Sequence, residues 1–177
     1  MMQSGVRWAA VALAIAAVAA CTGAPPDPNA PRQLTKDVSV SGQITVADVK
    51  AMRDKGFKTI VNMRPDSESP AQAKYPELQS AAQAAGLGYG YIPLKKGAPI
   101  PSTAAEALDS TLKRLPKPML LFEETPERPA KVWALAEASR PGGLDADAIM
   151  QAVKSAGFSA DELAPQITKR IAARPKH

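Results

Sequence analysis

The sequence contains one cysteine and one histidine in 177 residues, Cys21 near its start and His177 at its end. A single cysteine excludes a disulfide within the chain, and one terminal histidine argues against histidine-based catalysis and against a zinc site. Aromatic residues make up only 5% of the chain and its basic residues form no run, so nothing indicates a nucleic-acid partner. The sequence therefore predicts neither a cofactor nor a metal site.

Long apolar runs are also scarce, and the longest, residues 8–20, follows Arg7 and ends immediately before Cys21. A helix that spans a membrane needs about 20 apolar residues. The shorter run therefore predicts a signal peptide over residues 1–20 rather than a spanning helix.

The residues that end this run, Val18-Ala19-Ala20-Cys21, resemble a bacterial lipobox, in which the cysteine takes up a diacylglycerol group. The resemblance implies a membrane lipid anchor at Cys21, and Thr22 after it favours the periplasmic face of the outer membrane. Two or three acyl chains anchor a protein stably, whereas one chain binds only marginally. An ordinary signal peptide with a cysteine nearby by chance remains the alternative.

The chain beyond the signal peptide divides into a tether and a domain. Residues 21–33 hold four prolines and predict an extended spacer without regular structure. Residues 34–177 are long enough for one domain, and a composition of 45% hydrophobic and 22% charged residues is ordinary for an α/β protein.

Hydrophobic periodicity predicts alternating strands and helices from residue 38 onward. Residues 118–122 are the most apolar stretch of the domain and are expected to form its central strand. The alternation predicts an α/β fold with a mostly parallel sheet of four to five strands flanked by helices. The predicted strands are 38–41, 57–63, 89–94 and 118–122; the predicted helices are 45–56, 76–85, 103–115, 128–138, 147–156 and 159–173; and the predicted capping boxes are Thr45/Asp48, Thr103/Glu106 and Ser159/Glu162.

The loop between the predicted central strand and the next helix is the candidate site. Backbone N–H groups and the helix dipole converge at such a loop, which makes it suited to binding an anion. Its sequence is Glu123-Glu124-Thr125-Pro126-Glu127-Arg128.

Around this loop, several short motifs occur in the order and spacing of one family. They are Val40-Ser41-Gly42-Gln43, Val61-Asn62-Met63-Arg64-Pro65-Asp66, Gly86-Leu87-Gly88-Tyr89, Tyr91-Ile92-Pro93, Leu120-Leu121-Phe122 and Trp133-Ala134-Leu135. With them, roughly residues 36–165 resemble the beta-lactamase-hydrolase-like phosphatases, a branch of the dual-specificity protein phosphatase superfamily. The resemblance implies a cysteine-phosphatase-like three-layer fold.

The resemblance also implies that the loop has lost its chemistry. In that family it holds a cysteine, five residues and an arginine, usually with glycine fourth, and the thiolate attacks phosphorus. Aligning Arg128 on the family arginine puts Glu123 at the cysteine position and Pro126 at the glycine position. A carboxylate cannot replace the thiolate nucleophile, and proline has no N–H to donate.

Charge argues in the same direction, because Glu123, Glu124 and Glu127 oppose Arg128 alone. Like charges about 4 Å apart repel by ~4 kcal/mol at an effective dielectric constant near 20, so a phosphate ester is expected to be excluded. Two interpretations follow. The loop binds another ligand, such as a basic peptide, an amine or a divalent cation, or its carboxylates are solvated and offset the helix dipole while Arg128 pairs with Glu123 or Glu124.

Three further positions have a functional and a structural interpretation. Asp66 matches a family motif whose aspartate acts as general acid, but it also fits a turn residue that bonds its own backbone. Lys95-Lys96-Gly97 stands where relatives carry an acidic loop, and it is predicted to be an exposed loop. Trp133 is predicted to pack in the core.

The sequence thus predicts a membrane-anchored pseudophosphatase of the cell envelope that binds an unidentified protein or small ligand at residues 123–128. The alternative is a hydrolase with a changed, cysteine-independent mechanism that uses the acidic loop 123–127, with Glu123 or Glu124 as base or metal ligand beside Asp66.

Overall fold

The computed structural model of the chain describes Asp27 and residues 29–175. The predicted signal peptide, Cys21, most of the proline-rich tether and His177 lie outside the described residues. Within the described part, no helix is both long enough and apolar enough to cross a membrane.

Five short strands form one sheet in the spatial order β1-β2-β5-β3-β4. Strands β2, β5, β3 and β4 are mutually parallel, and only β1 runs antiparallel to its neighbour β2. The α/β class and the mostly parallel sheet are therefore confirmed. The strands are β1 Arg32–Thr35, β2 Val38–Ser41, β3 Thr59–Asn62, β4 Gly88–Tyr91 and β5 Met119–Phe122.

The central position of β5 follows from its composition. All four of its side chains are fully buried, as expected for a parallel strand that is covered on both faces. Met119 and Leu121 face one hydrophobic cluster, and Leu120 and Phe122 face the other. The sheet therefore separates two cores, and the central strand predicted from the sequence is confirmed.

Helices cover the two faces of the sheet unequally, which gives the three-layer arrangement. Helices α1 and α2 pack on the face of Leu120 and Phe122, and α3 to α6 pack on the other face, where Trp133 is buried as predicted. The helices are α1 Asp48–Asp54, α2 Tyr75–Ala84, α3 Ser102–Arg114, α4 Glu127–Ser139, α5 Ala146–Ser155 and α6 Ala164–Ala172, with a short 3-10 turn at Asp161–Leu163.

Strand β1 was not predicted. It begins at Arg32, so that Arg32 and Gln33 belong to the sheet although the sequence assigns them to the tether. The four-residue strand buries only Leu34 well, and so short a segment carries no readable alternation. Its pairing with β2 supplies the order that its own sequence does not signal.

The three predicted capping boxes do not form as complete boxes. The backbone N–H and hydroxyl of Thr45 both bond the Asp48 carboxylate, at 2.8 and 2.7 Å, which is one half of the predicted box. Helix α3 instead begins after Pro101 without a side-chain cap, so the Thr103/Glu106 box is absent. Ser159 accepts only the Asp161 N–H, because Glu162 pairs with a lysine of α4. Local spacing suggested these caps, but tertiary ion pairs and turns replaced them.

Arg174 fixes the end of helix α4, which is the helix that begins at the candidate loop. Its guanidinium donates to four backbone carbonyls at 2.7 to 3.0 Å, those of Glu137, Ala138, Gly143 and Leu144. These carbonyls belong to the last turn of α4 and to the connection to α5. One side chain therefore satisfies acceptors that the end of a helix leaves free.

Replacing Arg174 with alanine is expected to lower the free energy of unfolding by about 1 to 3 kcal/mol, because four acceptors lose a charged donor. Lys169→Ala, an exposed position on α6, is the control and should change it by less than about 0.5 kcal/mol. Urea unfolding measures both. Equal effects of the two substitutions would contradict this role of Arg174.

Candidate functional site

The candidate loop lies at the carboxyl edge of the parallel strands, where α/β proteins place their sites. Strand β5 ends at Phe122, and helix α4 begins at Glu127, one residue before the predicted start. Residues 94–98, which follow β4, lie against the loop through contacts with Arg128. The loop that the sequence singled out therefore stands between the central strand and α4, as predicted.

Glu123 directs its carboxylate into the loop. The residue is only 3% exposed, and its Oε2 accepts the backbone N–H of Thr125 at 3.3 Å. Its Oε1 lies 3.5 Å from Nη1 of Arg128. A loop amide and the arginine thus contact a carboxylate that belongs to the chain itself, in the place where such a loop would otherwise hold an external anion.

The guanidinium of Arg128 is already bonded within the protein and is not free to bind a ligand. Its Nη2 donates to the carbonyls of Lys95 and Ala98 at 2.7 and 2.9 Å, and its Nη1 reaches the Leu94 carbonyl at 3.5 Å. Only 16% of the side chain is exposed. The predicted pairing with Glu123 is present as a long contact, and the stronger bonds tie Arg128 to residues 94–98.

The other two glutamates of the loop point to separate cations. Glu124 forms an ion pair with Lys96, so Lys96 belongs to the site and is not only part of an exposed loop. Glu127 lies 2.7 Å from Lys131, which also binds Glu162 at 2.6 Å. The three carboxylates therefore diverge. Within residues 29–175, no three His, Cys, Asp or Glu side chains are grouped to hold a metal ion.

Prolines reduce the number of N–H donors that the loop can offer. Pro126 precedes the first residue of α4 and provides no side-chain cap, and Pro129 is buried in the first turn of that helix. Neither has a backbone N–H. The backbone N–H of Thr125 is a donor within the loop, but it is already bonded to the carboxylate of Glu123.

The spacing of the loop required a correction. Four residues, not five, separate Glu123 from Arg128, so a strict count of the family pattern assigns the cysteine position to Phe122. Phe122 faces the cluster of α1 and α2, on the opposite side of the sheet from α4, whereas Glu123 contacts both Thr125 and Arg128. Of these two residues, only Glu123 faces the loop, and neither offers a thiol.

Asp66 has a structural role that differs from both of its interpretations. Its Oδ1 accepts the backbone N–H of Tyr75 at 2.7 Å, at the start of α2, and its carbonyl accepts Nζ of Lys74 at 2.6 Å. It bonds a distant helix terminus rather than its own turn. Its carboxylate is therefore engaged in holding α2 onto the segment that follows β3.

Sequence reasoning missed a second ionic group beside the loop. Arg64 donates to Glu68 Oε2 and to Gln43 Oε1, each at 2.9 Å, and both charged side chains are about nine-tenths buried. Glu68 Oε1 has no hydrogen-bond partner among the described residues. A spacing of four residues predicts contact between two side chains only in a helix, and the segment that holds Arg64 and Glu68 is a turn.

Burial raises the pKa of Glu123 above its ordinary value of 4.5, and the negative charge of Glu68 acts in the same direction. The N–H of Thr125 and the charge of Arg128 oppose the shift without cancelling it. The protonated carboxyl is therefore favoured more in this site than it would be in water.

Known protein sequences resemble a large part of this chain. A family model described as "Beta-lactamase hydrolase-like protein, phosphatase-like domain" matches residues 31–140. Beta-lactamase hydrolase-like proteins of Agrobacterium fabrum and Xylella fastidiosa are 31% identical over 106 residues and 27% identical over 104 residues. These alignments cover 60% and 59% of this chain but 24% of each relative, so the chain spans about a quarter of the length of these curated relatives.

Solved structures share the fold. A candidate phosphatase from Neisseria meningitidis aligns with a TM-score of 0.65 over 78% of this chain and 96% of its own, at 23% identity. A kinase-associated phosphatase with its catalytic cysteine replaced by serine aligns with a TM-score of 0.65 over 85% of this chain and 100% of its own, at 12% identity. The predicted cysteine-phosphatase-like fold is thereby confirmed.

The raised pKa of Glu123 predicts a pH dependence. Between its unfolded and folded pKa the folded state binds more protons, so this residue's stabilising contribution is complete below about pH 4.5 and is lost as pH rises through the higher folded value. Glu123→Gln does not titrate, so its stability relative to the parent should rise over that window, as measured by urea unfolding.

Glu124→Gln provides the control with the opposite sign. Lys96 lowers the pKa of Glu124, so this carboxylate's contribution is present above the unfolded pKa and is lost in acid. The stability of this variant relative to the parent should fall as pH rises. Parallel slopes for the two variants would contradict the assignment of Glu123 as the buried carboxylate.

Proposed function

Because this chain belongs to the family of beta-lactamase hydrolase-like phosphatase domains, we propose that it is a phosphatase-like domain without phosphatase activity, retained for binding or scaffolding at the cell envelope. The proposal has two separable parts, the chemistry of the loop and the anchoring at Cys21. Each part is argued from its own residues and has its own test.

The observation that carries the first part is the buried carboxylate of Glu123, which holds the Thr125 N–H and contacts Arg128. Covalent phosphoryl transfer through this loop needs a thiolate at that position. A carboxylate there supplies no such nucleophile, and it competes with the substrate phosphate for the same donors.

Charge and hydrogen bonding support the same conclusion. Arg128 is held by the carbonyls of Lys95 and Ala98, so a ligand must break those bonds to use it. Pro126 removes a further donor from the loop. A dianionic ester would enter among three glutamates, where like charges repel.

A changed hydrolase is the second candidate, and the raised pKa of Glu123 favours it. A carboxyl group with such a pKa in a loop cavity of about 480 Å³ resembles a general acid or base. The contribution of Asp66 that this mechanism requires has less support, because Asp66 already bonds the N–H of Tyr75. We therefore rank it below the inactive domain.

The second part of the proposal concerns location. The lipobox-like residues before Cys21 and the proline-rich segment after it support a lipid anchor that carries the domain on a spacer. Thr22 supports retention at the periplasmic face of the outer membrane. The partner at residues 123–128 is then a protein or small ligand of the envelope.

The loop is tested with full-length protein in detergent, by hydrolysis of para-nitrophenyl phosphate and by calorimetric titration with inorganic phosphate. The parent should show neither turnover nor binding. Glu123→Ala should gain weak phosphate binding, because Thr125 and Arg128 lose their internal partner, but no turnover. Glu124→Ala, which leaves that contact in place, is the matched control and should resemble the parent.

Turnover by the parent that Glu123→Ala abolishes would overturn the proposed inactivity in favour of the changed hydrolase. Phosphate binding by the parent that Arg128→Ala abolishes would show that the internal carboxylate does not block the site.

The anchor is tested by fractionating bacteria that express the full chain. The parent is expected in the membrane fraction with acylated Cys21 detected by mass spectrometry, whereas Cys21→Ser should lose both the acyl group and the membrane association. Thr22→Ser alters the neighbouring residue and should retain both. Parent protein recovered soluble and unacylated would exclude the lipid anchor.

A further inference from the structure

The two edge strands of the sheet, β1 and β4, differ in how well they are protected from pairing with another chain. Strand β1 is irregular, with a register shift between Gln33 and Thr35, and the guanidinium of its first residue, Arg32, lies 4.9 Å from the ring centroid of Phe158. A bulge and a charged residue are devices that stop an edge strand from pairing with another chain. The β1 edge is therefore protected.

Strand β4, at the other edge, has no such device. Its sequence Gly88-Tyr89-Gly90-Tyr91 contains neither charge nor proline, and its register with β3 is regular. The N–H groups of Gly88 and Ile92 point toward β3, at 2.8 Å from the carbonyl of Lys58, which precedes that strand, and at 2.9 Å from the carbonyl of Asn62, its last residue. In a parallel ladder the N–H and C=O of Tyr89 and Tyr91 then point outward. Within residues 29–175, no strand pairs with them.

A groove runs along this open edge, with a volume of about 490 Å³. The backbone of β4 forms its floor, and helices α2 and α3 supply its walls. This is the position that a sixth strand would occupy. The wall residues are Tyr75 and Gln79 from α2, and Ala107, Ser110, Thr111 and Arg114 from α3.

Packing among three tyrosine rings makes one side of the groove rigid. The ring of Tyr75 lies 5.8 Å from that of Tyr89 and 4.7 Å from that of Tyr91, between centroids. The Tyr89 hydroxyl accepts the Asn62 amide at 3.2 Å, which ties the aromatic group to β3. Rigid aromatic surfaces of this kind lose little entropy on binding.

Arg114 gives the groove its charge preference. It is exposed in the wall, and its guanidinium forms no ion pair or hydrogen bond with another described residue. Helix α3 leads into the start of β5, which pairs with Thr59 and through it with Gly88. Arg114 therefore lies toward the start of β4, and an acidic group at that end of a bound segment would complement it.

We propose that the β4 edge is a docking site for an acidic, extended peptide segment of another protein, which adds to the sheet as a sixth strand. Main-chain hydrogen bonds to Tyr89 and Tyr91 supply affinity, and Arg114 selects the acidic group. The chain's own tether does not fit, because its four prolines remove the N–H groups that a new strand must donate. The site is separate from the loop and does not depend on the loop's being inactive.

The first test uses amide hydrogen exchange by NMR on the full chain in detergent. In the free protein the amides of Tyr89 and Tyr91 should exchange rapidly, while those of Gly88 and Ile92 are protected. The probe is an amidated peptide of alternating threonine and valine that ends in aspartate, and it must run antiparallel to β4 for this aspartate to lie beside Arg114. Saturation with it should protect Tyr89 and Tyr91.

The second test exchanges charge, using fluorescence anisotropy with the same peptide and with one that ends in lysine. Arg114→Glu should weaken binding of the acidic peptide about tenfold and strengthen binding of the lysine peptide. Arg53→Glu, an exposed arginine on α1 outside the groove, is the matched control. Ser110→Trp, an exposed position in the wall, should block both peptides without altering the sheet.

Some outcomes would overturn the proposal. They are equal binding of a peptide with proline at alternate positions, no binding of the acidic peptide, and protection of Tyr89 and Tyr91 in the free protein. The last, found together with a dimer in solution, would assign the edge to a second copy of this chain. Failure here leaves the phosphate and turnover results at Glu123 untouched, so the two proposals fail separately.

Discussion

The candidate site depends on one buried carboxylate. Glu123 directly follows the central strand, and it meets a loop amide and Arg128 from within the chain. A buried carboxylate is costly unless donors satisfy it. The donors of an anion-binding loop can meet that need, so the carboxylate and the loop geometry support each other.

This contact shapes its surroundings through Arg128. Because the Glu123 contact is long, most of the guanidinium bonds with carbonyls of residues 94–98, which draws that segment onto the loop. Lys96 of the same segment then reaches Glu124, so two cations close over an acidic loop. A feature that the sequence presents as three repelling glutamates is divided in the fold into three separate ion pairs.

The predictable elements are those whose own residues are apolar enough to indicate that the element is buried. Strand β5 is apolar throughout, and the loop after it is fixed by the change from Phe122 to Glu123. Strand β1 depends on its pairing with β2, which the periodicity of its own residues does not show. The start of α5 depends on one hydrogen bond, in which the carboxylate of Asp145 accepts the Ala148 N–H, and periodicity does not show this bond either. The Arg64–Glu68 pair was missed because its spacing has meaning only in a helix. The spacing of residues along the sequence therefore predicted the strands and helices of each layer better than it predicted the side-chain contacts between loops.

The separation between fold and chemistry explains how such a loop can exist. The core beneath it is built from Leu121, Val132 and Trp133, which pack on apolar neighbours and make no use of a thiol. Exchanging Glu123, whose carboxylate faces the loop, leaves those contacts intact, whereas replacing Phe122 with a smaller residue would open a cavity in the other core. The residue that packs in the core and the residue that faces the loop are therefore different, although they are neighbours in the chain. Exchanging residue 123 therefore changes the chemistry of the loop while the layers around it keep their packing contacts.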